Sequence, residues 1–133
     1  MEDRFKYKIY NTTKKVFLKE NLLDYVLCSN GNISHHQNRN STEFYISVAD
    51  LIPVFCTGLK DKTGQLIYEG DIVQNYALRD VVIFEKGIFT TKGSAVGRFG
   101  IRQPLAVHNE LKVLGNIYEN PDILEGVKDE WRM

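Results

Sequence analysis

The stretch TGLKDKTGQLIYEGDIV, Thr57 to Val73, lies in the middle of the chain and decides how the chain folds. Its polar segment KDKTG, residues 60–64, has the composition of a tight turn, in which the Asp61 side chain can bond the backbone that follows it. The residues after the turn predict an extended chain that bends at Gly70, because glycine adopts backbone angles that other residues avoid. Asp71 is expected to cap the bend through backbone amides. The stretch therefore predicts a turn, a bent strand and the corner of a small barrel.

Short strands are predicted on both sides of this stretch. The opening residues alternate between apolar and basic side chains, which predicts a strand with one solvent-facing side. Its apolar members are Phe5, Tyr7 and Ile9, and its basic members are Arg4, Lys6 and Lys8. Further on, VVIFEKGIFTT predicts two strands, 81–85 and 88–91, joined in a hairpin by Lys86 and Gly87. LKVLGNIYEN predicts a last strand with a bulge at Gly115.

Two polar segments predict loops. Ser29 to Thr42 contains one apolar residue, Ile33, and is too polar to offset the entropy of ordering, so it predicts a long, mobile surface loop. Lys92 to Gln103 is rich in glycine and has little periodicity, which also predicts a loop. Near the end of the chain, an N-cap residue, a proline and an acid follow one another at 120–122 and predict the start of a short helix.

These elements predict a mostly β protein. Strands dominate, they are short, and no strand-helix-strand unit favours a parallel sheet. The expected architecture is a curled antiparallel sheet or small SH3-like β-barrel subdomains with a short C-terminal helix. The length of 133 residues suits one domain, 1–133, with possible subdomains at 1–56 and 57–133.

The composition indicates an ordinary soluble protein. Lysine plus arginine equals aspartate plus glutamate at 17 each, so no net charge attracts the chain to nucleic acid or to a membrane. The opening residues lack the apolar core of a secretory signal, and no segment is apolar enough to span a bilayer, so we expect a cytoplasmic protein with no membrane partner. Cys28 and Cys56 lie beside apolar residues and are expected to be reduced and structural.

The central stretch and the later VLGNIYENPDIL, residues 113–124, together resemble the YopX family of proteins encoded by phages and prophages of bacteria. The two motifs occur in the family's order, and the resemblance extends over essentially the whole chain. It implies a mostly β fold with barrel-like subdomains, an origin in a mobile genetic element, the host cytoplasm and self-association. It implies no established activity and no catalytic residues.

Carboxylates concentrate in and beside the two motifs, which raises the possibility of a metal-dependent or acid-base site. Asp61, Asp71 and Asp122 each have a structural role in a turn, a bend or a helix start. Glu69 and Glu119 have less obvious structural roles, and they follow tyrosine in the matching contexts IYEG and IYEN. If the two motifs meet in the fold, these two glutamates are the first residues to mutate. No nucleophile motif, phosphate loop or metal-ligand spacing is present, so we expect no catalytic residues, no bound metal and no cofactor.

Two binding roles are compatible with the sequence. Small barrels often present basic and aromatic side chains to single-stranded nucleic acid. The candidates are Lys6, Lys8, Arg98, Phe99 and Arg102, although alternating lysines are also the ordinary wet side of an edge strand. The other role is a protein-binding module that forms a homo-oligomer or binds a host or phage protein. It would do so through its loops and through Tyr10, Tyr45, Tyr76 and Phe99 where these are exposed. We favour this non-enzymatic binding role, place nucleic-acid binding second, and place a metal-dependent enzyme third.

Overall fold

The computed structural model describes residues 2–75, 78–93, 95–96, 101–102, 104–107 and 110–123. These residues are mostly β, with antiparallel pairing between neighbouring strands and three short 3-10 helices, and they include a curled, half-barrel sheet. The predicted fold class is therefore confirmed. The chain forms two compact units, a smaller unit of residues 7–54 and a larger unit of residues 1–6 and 55–133. The sequence-based division at 56/57 into subdomains stays a prediction.

The smaller unit begins with strands β1 (Tyr7–Asn11) and β2 (Val16–Phe17), which form a hairpin. A 3-10 helix, Leu22–Asp24, leads into a three-stranded antiparallel sheet. The strands of this sheet are, in spatial order, β3 (Tyr25–Leu27), β4 (Ile33–Arg39) and β5 (Thr42–Ser47). The core of the unit is formed by Ile9, Ile33 and Leu51, with partly buried apolar side chains around them.

Strand β4 overturns the prediction of a mobile loop over Ser29–Thr42. Its backbone pairs with strands on both sides, and Ile33 is 0% exposed. The turn from β4 into β5 has left-handed backbone at Asn40 and Ser41, the arrangement of a tight hairpin turn. The loop prediction considered only what the side chains could bury. A polar strand is ordered here because two neighbouring strands satisfy its backbone hydrogen bonds and one isoleucine anchors its start.

The larger unit contains the central stretch. Strand β6 (Leu51–Lys60) begins in the smaller unit, and its second half pairs with β7 (Leu66–Tyr68) in the larger one. Strands β8 (Asp71–Asn75), β9 (Leu78–Glu85), β10 (Ile88–Thr91) and β13 (Lys112–Asn116) form an antiparallel sheet in the order β10-β9-β8-β13. The buried core comprises Ile67, Val73, Val82, Leu105 and Leu111.

Several local predictions in this unit are confirmed. Residues 61–64 form the turn, closed by a hydrogen bond from the Gly64 N–H to the Asp61 carbonyl oxygen at 3.0 Å. Lys86 and Gly87 join β9 to β10 with positive φ angles of 51° and 84°. The pairing of β13 with β8 shifts register between Val113 and Gly115, which is the predicted bulge.

The N-terminal strand begins later than predicted. Residues Glu2–Phe5 form a 3-10 helix, and β1 starts only at Tyr7. The Lys6 N–H donates to the Asp3 carbonyl oxygen, and the Lys6 side chain pairs with the Asp3 carboxylate, so this segment closes on itself. Phe5 is consequently 71% exposed and does not join the apolar side of a strand.

Two further corrections concern the late segments. Within the predicted loop Lys92–Gln103, strands β11 (Ala95–Val96) and β12 (Ile101–Arg102) pair with each other, as expected for β-branched residues in extended chain. The helix predicted after residue 120 does begin at 121. The Asn120 side chain accepts a hydrogen bond from the backbone N–H of Asn116, in the preceding strand. That bond ties the helix start to the strand.

Candidate functional site

The bend between β7 and β8 is held by hydrogen bonds from three directions. The Glu69 N–H donates to the Phe55 carbonyl oxygen at 2.9 Å, and the Gly70 N–H donates to the Val82 carbonyl oxygen at 2.8 Å. The Gly70 carbonyl oxygen accepts from Ile117. The Asp71 carboxylate accepts from the Tyr68 N–H at 2.7 Å, which confirms the predicted cap. The position of Glu69 is therefore set by the surrounding strands.

The second motif, IYEN, is held by Asn116 at the end of β13. The Asn116 side-chain oxygen accepts hydrogen bonds from the backbone N–H groups of Tyr118 and Glu119, at 3.1 and 2.8 Å. The Asn116 side-chain amide donates to the Glu119 carboxylate at 3.0 Å. This local turn orients the Tyr118 side chain, and it also gives the Glu119 carboxylate a hydrogen-bond partner.

The two motifs meet at Gly70. The residue has φ of 86°, and a Cβ atom placed on it would lie 2.7 Å from Cε2 of the Tyr118 ring. Glycine is therefore required at this position both for its backbone angle and for the close approach of the aromatic ring. The sequence-based condition that IYEG and IYEN meet is satisfied by the hydrogen bond between Ile117 and Gly70 and by this ring contact.

A groove of about 370 Å³ opens beside this contact. Its lining combines an apolar floor from β9 with an aromatic ring and three charged side chains. It is lined by Glu69, Gly70, Val81, Val82, Ile83, Glu85, Lys92, Ile117 and Tyr118. Glu69 belongs to it, whereas Glu119 does not line it. Sequence reasoning identified Glu69 through the repeated motif but missed Glu85 and Lys92, which only the pairing of β9 with β10 brings to the same place.

The Glu69 carboxylate lines this groove and has no partner in the part of the chain that the structure describes. Its side chain is partly buried and forms no hydrogen bond or ion pair with the described residues. Burial raises its pKa above the ordinary value of 4.5, because a charged carboxylate is poorly solvated there. Asp61, Asp71 and Glu119 accept hydrogen bonds and Asp122 is exposed, whereas Glu69 is partly buried without such a bond among the described residues.

Asp61 shows the contrast. Its Oδ1 atom accepts hydrogen bonds from the Thr63 N–H, the Thr63 hydroxyl and the Gln65 N–H, at 2.8, 2.6 and 3.0 Å. Its Oδ2 atom accepts from the Val113 N–H at 3.0 Å, across 52 residues of sequence. Burial acts to raise the pKa of Asp61, but these hydrogen bonds outweigh burial and hold the pKa below its ordinary value. Its predicted structural role is confirmed and extends to β13.

Lys6 and Lys8 do not share one face of a strand. Lys6 precedes β1 and pairs with Asp3 at 3.1 Å, and their mutual hydrogen bond raises the pKa of Lys6 and lowers that of Asp3. Lys8 lies within β1, with its Nζ atom 5.6 Å from the centre of the Phe17 ring. Lys6 belongs to the larger unit and Lys8 to the smaller one. Arg98 and Phe99 lie outside the described residues, and only the backbone of Arg102, in β12, is described.

The histidines and cysteines among the described residues have ordinary structural surroundings. His35 and His36 contact different tyrosines, Tyr25 and Tyr45, from neighbouring strands. Both cysteines are free thiols. Across the described ranges, no three histidine, cysteine or acidic side chains come together as metal ligands would. In the same ranges, no helix has the length and apolar character needed to cross a membrane.

Of the four aromatic residues proposed as interface anchors, the structure exposes one. Tyr45 on β5 is 58% exposed, whereas Tyr10 is buried among the strands of the smaller unit. Tyr76 and Phe99 lie outside the described residues, as does His108.

Comparisons with known proteins support the fold. The crystal structure of protein EF1440 from Enterococcus faecalis is similar with a TM-score of 0.54 and 22% identity, over 90% of this chain and 96% of that chain. The crystal structure of protein yopX from Bacillus subtilis is similar with a TM-score of 0.52 and 16% identity, over 87% and 94%. At these identities the likeness shows the fold alone. None of the curated proteins matches the chain.

The family model described as YopX protein matches residues 3–125, which includes both motifs and nearly the whole chain. The chain therefore belongs to the YopX family.

Proposed function

We propose that this YopX-family chain is a phage- or prophage-encoded accessory protein of the host cytoplasm that acts by binding rather than by catalysis, and that it self-associates through strand β5. The observation that supports this proposal is the character of β5. The strand lies at the end of its three-stranded sheet, and it carries Tyr45 at 58% and Ile46 at 48% exposure. An exposed, apolar edge strand is a template for pairing with another chain.

The sequence of β5, TEFYIS, is suited to pairing with a second copy of itself. An antiparallel pair centred on Tyr45 sets Phe44 opposite the partner's Ile46 and Glu43 opposite the partner's Ser47. Glu43 is the only charged residue of the strand, so no like charges face each other in this register. The two tyrosines meet at the centre, where aromatic pairs contribute to sheet stability. A second copy is therefore the occupant that we assign to this edge.

The test is the mass of the protein in solution across a concentration series. We expect the wild type to exceed the monomer mass of 15.3 kDa and to keep doing so in high salt, because apolar contacts are not screened. Tyr45→Lys places a charge at the centre of the edge and should give a monomer. Leu23→Lys is the matched control, because Leu23 is 98% exposed in the same unit but lies outside β5.

Three results would overturn the proposal. A wild type that stays monomeric at all concentrations removes self-association. A Leu23→Lys variant that dissociates as readily as Tyr45→Lys removes β5 as the interface. Binding of a labelled single-stranded oligonucleotide that weakens steeply with salt would move nucleic acid to first place, because phosphate contacts release counterions.

A further inference from the structure

The groove beside Gly70 carries a second inference, independent of self-association. We propose that this groove binds a lysine or arginine side chain of a partner protein, with the Glu69 carboxylate as the counter-ion and the Tyr118 ring as one wall. The groove lies entirely in the larger unit, and none of its lining residues belongs to β5.

The first argument is charge complementarity. The Glu69 carboxylate has no hydrogen-bond or ion-pair partner among the described residues, although it is partly removed from water. The other charged side chains that line the groove are Glu85 and Lys92, so the groove carries a net charge of minus one when all three are ionised. A cation that entered would supply the contact that the fold does not provide to Glu69.

The second argument is the shape and chemistry of the lining. The apolar floor of the groove comes from β9, where Val81 and Val82 are buried and Ile83 is partly exposed and open to contact. Lysine and arginine carry an aliphatic stem below a charged head, so the stem can lie on such a floor while the head reaches a carboxylate. An aromatic wall adds attraction for a cation near the ring face. A small metal ion would use neither the floor nor the ring.

The third argument is that Glu69 opposes folding. Its pKa is raised by burial, so the folded chain binds a proton more tightly than the unfolded chain does. The charged side chain therefore lowers stability as pH rises from the ordinary pKa through the raised one. The negative charge of Glu69 therefore has no role in stabilising the fold by itself. Ligand sites commonly carry such a cost.

The experiment uses two capped tripeptides as probes, one with lysine and one with the uncharged isostere norleucine at the centre. Binding is followed by amide NMR shifts of the full chain, with Gly70 and Tyr118 as reporters. We expect the lysine peptide to bind roughly tenfold more tightly than the norleucine peptide. We also expect it to lower the pKa of Glu69 measured by carboxyl carbon titration, because a bound cation favours the charged form.

Two variants locate the binding. Glu69→Gln should lose the preference for lysine and should also melt at a higher temperature at neutral pH. The gain in stability shows that the variant is folded. Glu119→Gln is the matched control, because Glu119 follows tyrosine in the sister motif but its carboxylate is bonded to Asn116 and does not line the groove. It should bind the lysine peptide as the wild type does.

The binding should also strengthen as pH rises through the raised pKa of Glu69. Glu85, Lys92 and Tyr118 face the same groove, so the profile must be compared with that of Glu69→Gln, in which only their titration remains. Three results would each overturn the proposal. The first is that neither peptide shifts the amide signals, and the second is that the two peptides bind equally well. The third is that Glu69→Gln and Glu119→Gln lose affinity for the lysine peptide to the same extent. The Tyr45→Lys variant should bind normally, which separates this inference from self-association.

Discussion

Replacing Asp61 by asparagine should destabilise the protein at neutral pH and alter its response to acid. The carboxylate accepts three hydrogen bonds on Oδ1 and one from the Val113 N–H on Oδ2. Asparagine has the same shape but offers only one oxygen. Whichever way its amide is oriented, at least one N–H group faces another donor, and the remaining bonds lose the assistance of the negative charge.

The size of the effect follows from these contacts. A hydrogen bond to a charged group contributes about 1.5 to 3 kcal/mol, and a buried donor left unmatched costs about 1 to 3 kcal/mol. Some of the hydrogen bonds accepted by Oδ1 persist in the variant, where the acceptor is a neutral amide oxygen. We therefore expect the free energy of unfolding to fall by about 3 kcal/mol. With a urea dependence of about 2 kcal/mol per molar, the unfolding midpoint should fall by about 1.5 M.

The assay is urea unfolding followed by circular dichroism between neutral and acid pH. The pKa of Asp61 is lowered by folding from its ordinary value of 3.8, so its charge stabilises the native state fully above that value. The contribution is lost as pH falls through the folded pKa. The stability difference between wild type and Asp61→Asn should therefore narrow in acid. Asp50→Asn, at an exposed position, serves as the control and should change little.

Two results would refute this reasoning. One is a loss of less than about 1 kcal/mol at neutral pH, which is the worth of a single ordinary hydrogen bond. The other is a difference that stays constant as the pH falls below the ordinary pKa of aspartate, which would mean that the charge of Asp61 is not stabilised by folding.

Two further predictions concern glycine and the polar strand β4. Gly70→Ala should cost about 2 to 4 kcal/mol, because it adds a clash with Tyr118 to the cost of a left-handed backbone. Gly64→Ala has a similar φ of 90° with no atom within 4 Å, and should cost about 1 to 2 kcal/mol, so equal losses in chemical unfolding would contradict the Tyr118 contact. Ile33→Ala should cost about 2 to 5 kcal/mol. Val16→Ala, at a position that is 48% exposed and outside β5, should cost less than about 1 kcal/mol in the same assay; an equally small loss at Ile33 would contradict the burial of β4 and favour a loop there.

Two segments differ from their sequence-based predictions, and each for a physical reason of its own. Segment 29–42 was predicted to be a loop because its side chains are polar, yet β4 is stabilised by backbone bonds to β3 and β5. The alternation of Arg4 to Ile9 predicted a strand, yet the Asp3–Lys6 contacts close its first residues into a 3-10 helix. In the first case the missing information is a neighbouring strand, and in the second it is a contact three residues away that the alternation of side chains does not register.

The candidate site was predictable only in part. The repeated IYE context singled out Glu69 and Glu119 equally, because a sequence shows identity and spacing but not which carboxylate is already bonded. The structure distinguishes them. The Asn116 side-chain amide donates a hydrogen bond to the Glu119 carboxylate, whereas Glu69 lines the groove. Glu85 and Lys92 also line the groove, but strand pairing brings them there, so their local sequence does not reveal it.

The sequence by itself determined the family. Local chemistry in the sequence also determined the turn at 61–64, the bend at Gly70, the hairpin at Lys86–Gly87 and the bulge at Gly115. Each of these depends on backbone angles or side-chain bonds within a few residues, which sequence encodes directly. Tertiary structure alone decided that Asp61 reaches Val113, that Tyr118 packs on Gly70 and that the Glu69 carboxylate finds no partner among the described residues. Those outcomes require segments far apart in the chain to meet, and burial and pairing energies arise only once they do.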